Sequence, residues 1–417
     1  MSERDFLPVI LGSDENAYGT VRLFREAYGI RPLLLCTRRL IPTLDSDLFD
    51  IECIPDFDSE KVFPDALRRI LTEKKKEYGK LIVVACSDYY AAMMSKYGAG
   101  FGDLVANSFI SPSLLDTLDT KDKFYALCEK YGLDYPKTVV ASPENRESAV
   151  EDMGFSFPIV VKPENSNAYE YLHCSFEGKK KVFFFDTKEE YLTVIRAMNG
   201  SDYRGNLIIQ EFIPGGDDAM RVMNAYSGND GKVRVMCLGQ PVLEEYSPKT
   251  LGNYAAIISR SDKEICDRIR GFLEELGYVG YSNFDMKYDR RTGKYMMFEI
   301  NPRPGRSSYF VRAAGINMMK ELVDDAVYGK KRDTVLYSSE TALWTAVPKG
   351  VLLKYVKDEG LRSEIRTLWK AKKVERTLFN PEDKNLKRRL RVRRYYLTYY
   401  KAYRLYYFDK EARSAKQ

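Results

Sequence analysis

Apolar runs without polar interruption open the chain, at residues 6–11 and, after a helix-patterned stretch over 20–28, at residues 32–36. Such runs read as strands covered on both faces, and the helix between them makes a β-loop-α-β unit. The pattern returns at Leu81-Ile82-Val83-Val84-Ala85-Cys86, followed by a polar Ser87-Asp88 and a second helical stretch. A parallel, Rossmann-like domain is therefore expected over residues 1–115. Residues 116–130 are helix-patterned and are stopped by Gly132-Leu133-Asp134-Tyr135-Pro136. Apolar strands follow at 157–163, ending in a lysine and a proline, and at 206–213, ending at Pro214-Gly215-Gly216-Asp217-Asp218. Further strands run through 232–242. Residues 282–288 and 295–300 are strand-like, and the polar connector 289–294 with its late glycine predicts a hairpin. These patterns predict further bodies over 116–205, 206–335 and 336–417.

The end of that hairpin, Phe298-Glu299-Ile300-Asn301-Pro302-Arg303-Pro304-Gly305, carries the clearest chemistry. Glu299, Asn301 and Arg303 stand at spacing two, so an extended strand projects them from one face. With the turn centred near Thr292, Asp285 falls opposite Glu299 on that face. Two carboxylates at one spot repel each other unless a cation neutralises them or one takes up a proton. Hard oxygen ligands of this kind suit Mg²⁺, and the Arg303 fork suits a phosphate or a developing oxyanion. The alternative is a solvated sheet face, but such a face has no need of the two prolines that follow.

Gly12-Ser13-Asp14 and Ser87-Asp88 leave strand C-termini, where open α/β sheets bind ligands. Ser13, Asp14, Ser87 and Asp88 are thus candidate substrate contacts, and equally good helix N-caps. No GxGxxG motif accompanies them, so no dinucleotide site is expected.

The 417 residues exceed one small core and suit two or three domains. No apolar run approaches a membrane span and the first residues are too polar for a signal peptide, so a cytoplasmic protein is expected. The seven cysteines form no CxxC pair, and a single histidine, His173, excludes His-cluster metal sites. The chain carries a net +6, yet residues 386–417 hold eleven Lys and Arg against two acids, a net +9 that leaves the body at −3. The basic balance therefore describes the tail and not the catalytic body.

These pieces in this order resemble the ATP-grasp superfamily of carboxylate–amine ligases over residues 6–330. The resemblance implies a nucleotide held between two α+β subdomains behind the Rossmann-like domain. It implies that Lys123, in Thr120-Lys121-Asp122-Lys123-Phe124, and Lys162 contact phosphates. Gln210-Glu211-Phe212-Ile213 is similar to the linker that reads adenine, and Asp218 matches the acid on the ribose hydroxyls. Asp285, Glu299 and Asn301 match the Mg²⁺ ligands, with two ions, or Mn²⁺ in their place, and Arg303 matches the arginine that faces the transferred phosphate. One departure stands out: the glycine-rich phosphate lid is replaced by Glu164-Asn165-Ser166-Asn167-Ala168-Tyr169-Glu170-Tyr171, in which Ser166 is the candidate phosphate donor.

Residues 11–19, Asn165-Ser166 and the 301–305 ending look most like bacterial aspartate ligases of peptidoglycan cross-bridge synthesis. That likeness implies D-aspartate as the acid and a UDP-linked muramoyl pentapeptide as the amine acceptor, with Arg303 or Arg306 as carboxylate anchor. Other acids or amines, or a non-catalytic nucleotide-binding adaptor, remain alternatives, and a homo-oligomer is compatible with the chain. In the tail, tyrosines at 396, 399, 400, 403, 406 and 407 follow helical spacing. The stripe either packs on the body or serves a membrane surface through residues 386–408. No nucleic-acid motif accompanies it.

Overall fold

The computed structural model describes residues 5–164, 169–247 and 250–414. A first sheet of β1 (Phe6–Leu11), β2 (Leu33–Cys36), β3 (Asp50–Cys53) and β4 (Lys80–Ala85) is parallel, in the order β3-β2-β1-β4. Every position of β1 is buried, as its apolar run requires. Phe6 and Ile10 pack toward α1 (Glu15–Tyr28), while Leu7, Val9 and Leu11 pack toward α2 (Phe63–Lys74) and α3 (Asp88–Tyr97).

The helix expected over 116–130 is two helices, α4 (Pro112–Asp119) and α5 (Lys121–Lys130), because Thr120 between them is extended. A second, antiparallel sheet runs β5-β8-β6-β7: β5 (Thr138–Ala141), β6 (Ile159–Pro163), β7 (Phe183–Phe185) and β8 (Leu207–Glu211). With α6 (Tyr169–His173) and α7 (Lys188–Asn199) it encloses its own core around Tyr191, Ile195 and Ile209. Since β8 pairs with β5 and β6, this layer extends to Glu211 rather than ending at residue 205. Hydrogen-bond partners decide that membership, and an apolar run does not reveal them.

The third sheet runs β13-β12-β9-β10-β11-β15-β16, with β14 beside β10. Its strands are β9 (Met220–Ser227), β10 (Val233–Glu244), β11 (Tyr254–Arg260), β12 (Gly280–Asp289), β13 (Lys294–Asn301), β14 (Leu336–Tyr337), β15 (Leu343–Thr345) and β16 (Val374–Glu375). Helix α8 (Lys263–Glu275) joins α4 and α5 against one face. On the other, α9 (Tyr309–Ala313) and α10 (Met318–Ala326) share one core with α1, uniting Tyr18 and Phe24 with Val222, Phe310 and Met319. Residues past 335 therefore do not stand apart, because β14 to β16 complete this sheet.

The chain closes with α11 (Lys349–Tyr355), α12 (Glu359–Lys370) and α13 (Leu386–Ser414). Tyr399, Tyr403 and Tyr407 are buried against Leu243, Tyr246 and Tyr355, and Tyr407 donates to the Tyr355 carbonyl at 3.0 Å. Of the two readings of the tyrosine stripe, packing on the body is the one observed for these three. Among the described residues no helix is long and apolar enough to cross a membrane.

Candidate active site

The β12–β13 hairpin sets Asp285 directly opposite Glu299 and Asn283 opposite Asn301. The Asn301 amide nitrogen lies 3.5 Å from a carboxylate oxygen of each acid, and the Tyr254 hydroxyl donates to Asp285 at 2.9 Å. Burial and the charge of Glu299 push the Asp285 carboxyl up to about 7. Burial also pushes Glu299 up, but Lys121 and Asn301 outweigh it and hold Glu299 below its usual value. Asp285 is half-buried, while half of the Glu299 side chain faces open space. Among the described residues no cluster of three or more His, Cys, Asp or Glu forms. A cation here would rest on two carboxylates and the Asn301 amide oxygen, its other positions filled by water or phosphate, which is how Mg²⁺ is usually held. The donor set fits, and a cation relieves the repulsion that raises Asp285.

Two lysines flank the acids. Lys121 Nζ lies 3.3 Å from Glu299 and donates to the Phe298 carbonyl at 2.5 Å. Lys162, at the end of β6, is depressed to about 8, first by burial and then by the Lys121 charge. Lys123 stands apart from the acids. It is exposed and ion-paired with Asp116 at 2.5 Å, because residues two apart on a helix point to different faces. Lys121→Ala is expected to raise the KM for ATP on the order of tenfold, the loss of a charge-assisted contact, while Lys123→Ala leaves it unchanged. Steady-state kinetics on both variants checks this. The depressed Lys162 also sets a pH dependence. A nucleotide phosphate resting here, as the resemblance implies, would favour the charged amine, so its affinity would be full below about 8 and weaken with rising pH above it. Titrating ATP binding across that range should show the alkaline loss, and Lys162→Arg should remove it, since a guanidinium keeps its proton.

Arg303 does not continue the strand face. Strand β13 ends at Asn301, the Arg303 N–H turns back to the Asn301 carbonyl at 2.9 Å, and the guanidinium reaches Asp88 at 2.5 Å. The first sheet thereby meets the hairpin at the C-terminal ends of β1 and β4. Asp14 and Ser87 cap α1 and α3, accepting from the N–H groups of Ala17 and Tyr90, so the capping reading holds for both. Ser13 spends its hydroxyl on the Arg38 carbonyl at 2.7 Å. A residue that pattern reading passes over is buried Asn16, whose amide donates to the carbonyls of Pro304 at 2.7 Å and Cys86 at 3.1 Å. It ties the Arg303 loop to the first sheet, and nothing in a helix pattern distinguishes it.

Arg306 is not a free substrate anchor. It pairs with Glu15 at 3.2 Å and Glu245 at 2.5 Å, and Tyr399 of α13 hydrogen-bonds to Glu245. Two acids from different layers converge there and occupy its fork. Arg306→Ala should cost about 3–5 kcal/mol of stability by leaving both carboxylates unpaired, seen as a lower denaturation midpoint.

On the second sheet, the Gln210 amide faces inward, donating to Tyr125 at 2.8 Å and Thr138 at 3.0 Å, so its donor group is engaged within the protein. Ile213 is buried, and Phe212 carries the Lys287 ammonium 5.3 Å over its ring. Glu211 and Asp218 face the hairpin turn, pairing with Arg291 at 3.1 Å and with Arg290 respectively. Ser166 lies outside the described residues.

No family model matches the chain. It is 36% identical over 418 residues to a D-aspartate ligase of Enterococcus faecium, covering 99% of both chains. It is 22% identical to a D-alanine--D-alanine ligase of Xylella fastidiosa over 57% of this chain and 73% of that one. Among solved structures, an L-amino acid ligase from Bacillus licheniformis superposes with a TM-score of 0.57 at 17% identity, over 83% of this chain and 80% of that one. An N5-carboxyaminoimidazole synthetase from Staphylococcus aureus superposes with a TM-score of 0.58 at 12% identity, over 85% of each chain.

Proposed function

The chain belongs to the D-aspartate ligase family of the ATP-grasp superfamily, and from that premise we propose that it joins the β-carboxylate of D-aspartate to a lysine side-chain amine of a UDP-linked muramoyl pentapeptide. It is an ATP-dependent carboxylate–amine ligase, forming a C–N bond as ATP is cleaved to ADP and phosphate. The observation that carries the finer reading is the likeness to a D-aspartate ligase over nearly the full length of both chains.

On this reading the substrate carboxylate attacks the γ-phosphate of ATP, ADP leaves, and an acyl phosphate remains. Lys121 and Lys162 balance charge on the phosphates, and Arg303 faces the transferred group. The amine then adds to the acyl carbon, Arg303 meets the tetrahedral oxyanion, and phosphate departs with one former carboxylate oxygen. The residues that would hold Mg²⁺ are Asp285, Glu299 and Asn301, and two such ions, or Mn²⁺ in their place, would supply further positive charge to the phosphoryl oxygens. Neither step needs a covalent enzyme intermediate. Glu211 and Asp218 hold adenosine once they exchange Arg291 and Arg290 for it.

The test is ADP release with Mg²⁺-ATP across D- and L-amino acids, with and without UDP-muramoyl pentapeptide, followed by product mass. A pentapeptide heavier by one aspartyl residue, formed with the D-isomer alone, is expected. Turnover only with another acid or amine would retain the ligase and overturn the substrate assignment.

A further inference from the structure

We propose that the outward face of α13 docks the protein on an anionic lipid surface. The helix has two faces of different use. Inward, Tyr399, Tyr403 and Tyr407 complete a core, and the Arg388 guanidinium stacks 4.1 Å over the Tyr18 ring while pairing with Asp383 at 2.5 Å. Those contacts anchor the helix without any help from its other side.

Outward stand Leu386, Leu390, Leu397 and Leu405, and Leu390 and Leu397 leave 61% and 60% of their surface open. Arg389, Arg393, Arg394, Lys401 and Arg404 are exposed among them and meet no carboxylate within salt-bridge distance among the described residues. At 3.6 residues per turn, Leu386, Leu390, Arg393, Leu397 and Arg404 fall within about 60° of arc. Between Asp383 and Asp409 the chain has nine Lys and Arg and no acid. The neighbouring loop adds basic and apolar side chains, while its Asp45 is taken up by Lys387 and Arg391. Arg388 donates to the Pro42 and Leu44 carbonyls, and just before them Arg38, Arg39, Leu40 and Ile41 are all exposed.

Scattered surface leucines alone mean little. Leucines set among unpaired arginines on a helix already held from behind are the arrangement that enters the headgroup region, with apolar side chains below the phosphates and guanidiniums among them. Single-stranded RNA would call for several outward stacking rings, whereas Tyr399, Tyr403 and Tyr407 face inward and, among the described tyrosines of α13, Tyr400 alone is exposed. A second copy of the chain would bring the same uncompensated positive charge against itself.

This inference stands independently of the substrate assignment. Its test is sedimentation of the full-length protein with vesicles of phosphatidylglycerol and phosphatidylcholine in equal parts, against phosphatidylcholine alone. Binding to the anionic vesicles is expected, with loss on phosphatidylcholine and at high salt. The variants L390S/L397S and R393S/R394S/R404S should each weaken binding on the order of tenfold or more, with elution volume and ATP turnover unchanged. The proposal is overturned if sedimentation ignores the anionic lipid or if both variants bind as wild type. It is equally overturned if the face binds a uridine homopolymer RNA and no vesicles, or if the leucine variant abolishes a self-association while vesicles never bind.

Discussion

Glu299→Gln is expected to lower amino-acid-dependent ADP formation on the order of 10³-fold, equivalent to about 4 kcal/mol of lost charge stabilisation in the transition state. The substitution preserves shape and removes one charge from the place where Asp285 faces Glu299 on neighbouring strands. Stability should change little, because two opposed effects go together: the charge that raises Asp285 is removed, and the 3.3 Å contact with Lys121 that helps hold Glu299 below its usual value is lost from a half-open side chain. Circular dichroism and the denaturation midpoint should match wild type, while stabilisation by Mg²⁺-ATP shrinks. Unchanged turnover would mean that this hairpin does not hold the cation.

Arg303→Ala is the second large effect, and it falls on a different parameter. The guanidinium is held at the meeting of the first sheet and the hairpin by Asp88, and Asn16 fixes the following residue's carbonyl. A donor preorganised for charge that develops during reaction is worth roughly 10²- to 10³-fold in kcat, with little change in the KM for ATP. Arg303→Lys should recover only part of it, since an ammonium lacks the planar fork. Asp88, left unpaired, is largely solvent-exposed, so the fold should tolerate the change. A raised KM with kcat intact would instead make Arg303 a ground-state contact.

Short-range rules read the centre of this site well. Two strands and a short connector make it legible that Asp285 and Glu299 face each other, although the register shift between Asp285 and Met286 that completes the pairing leaves no mark in the pattern. The first sheet is legible because parallel strands covered on both faces leave uninterrupted apolar runs. What escapes depends on contacts distant in sequence or on helix phase. The extended Thr120 resets the helix and turns Lys121, not Lys123, toward the acids. Arg306 looks like an anchor until Glu15 and Glu245, hundreds and tens of residues away, close on it. Strands β14 to β16 are two or three residues long, too short for periodicity to register. Asn16 acts through one hydrogen bond to Pro304, nearly the length of the body away in sequence.

Activation of the carboxylate as an acyl phosphate beside Asp285 and Glu299 is the step on which the proposed reaction depends. Its most direct test is turnover of aspartate labelled with ¹⁸O in its carboxylates, followed by mass analysis of the phosphate released. The account predicts one ¹⁸O atom in each phosphate, carried from the activated carboxylate as the amide forms. Unlabelled phosphate, or release of AMP and pyrophosphate in place of ADP, would contradict it.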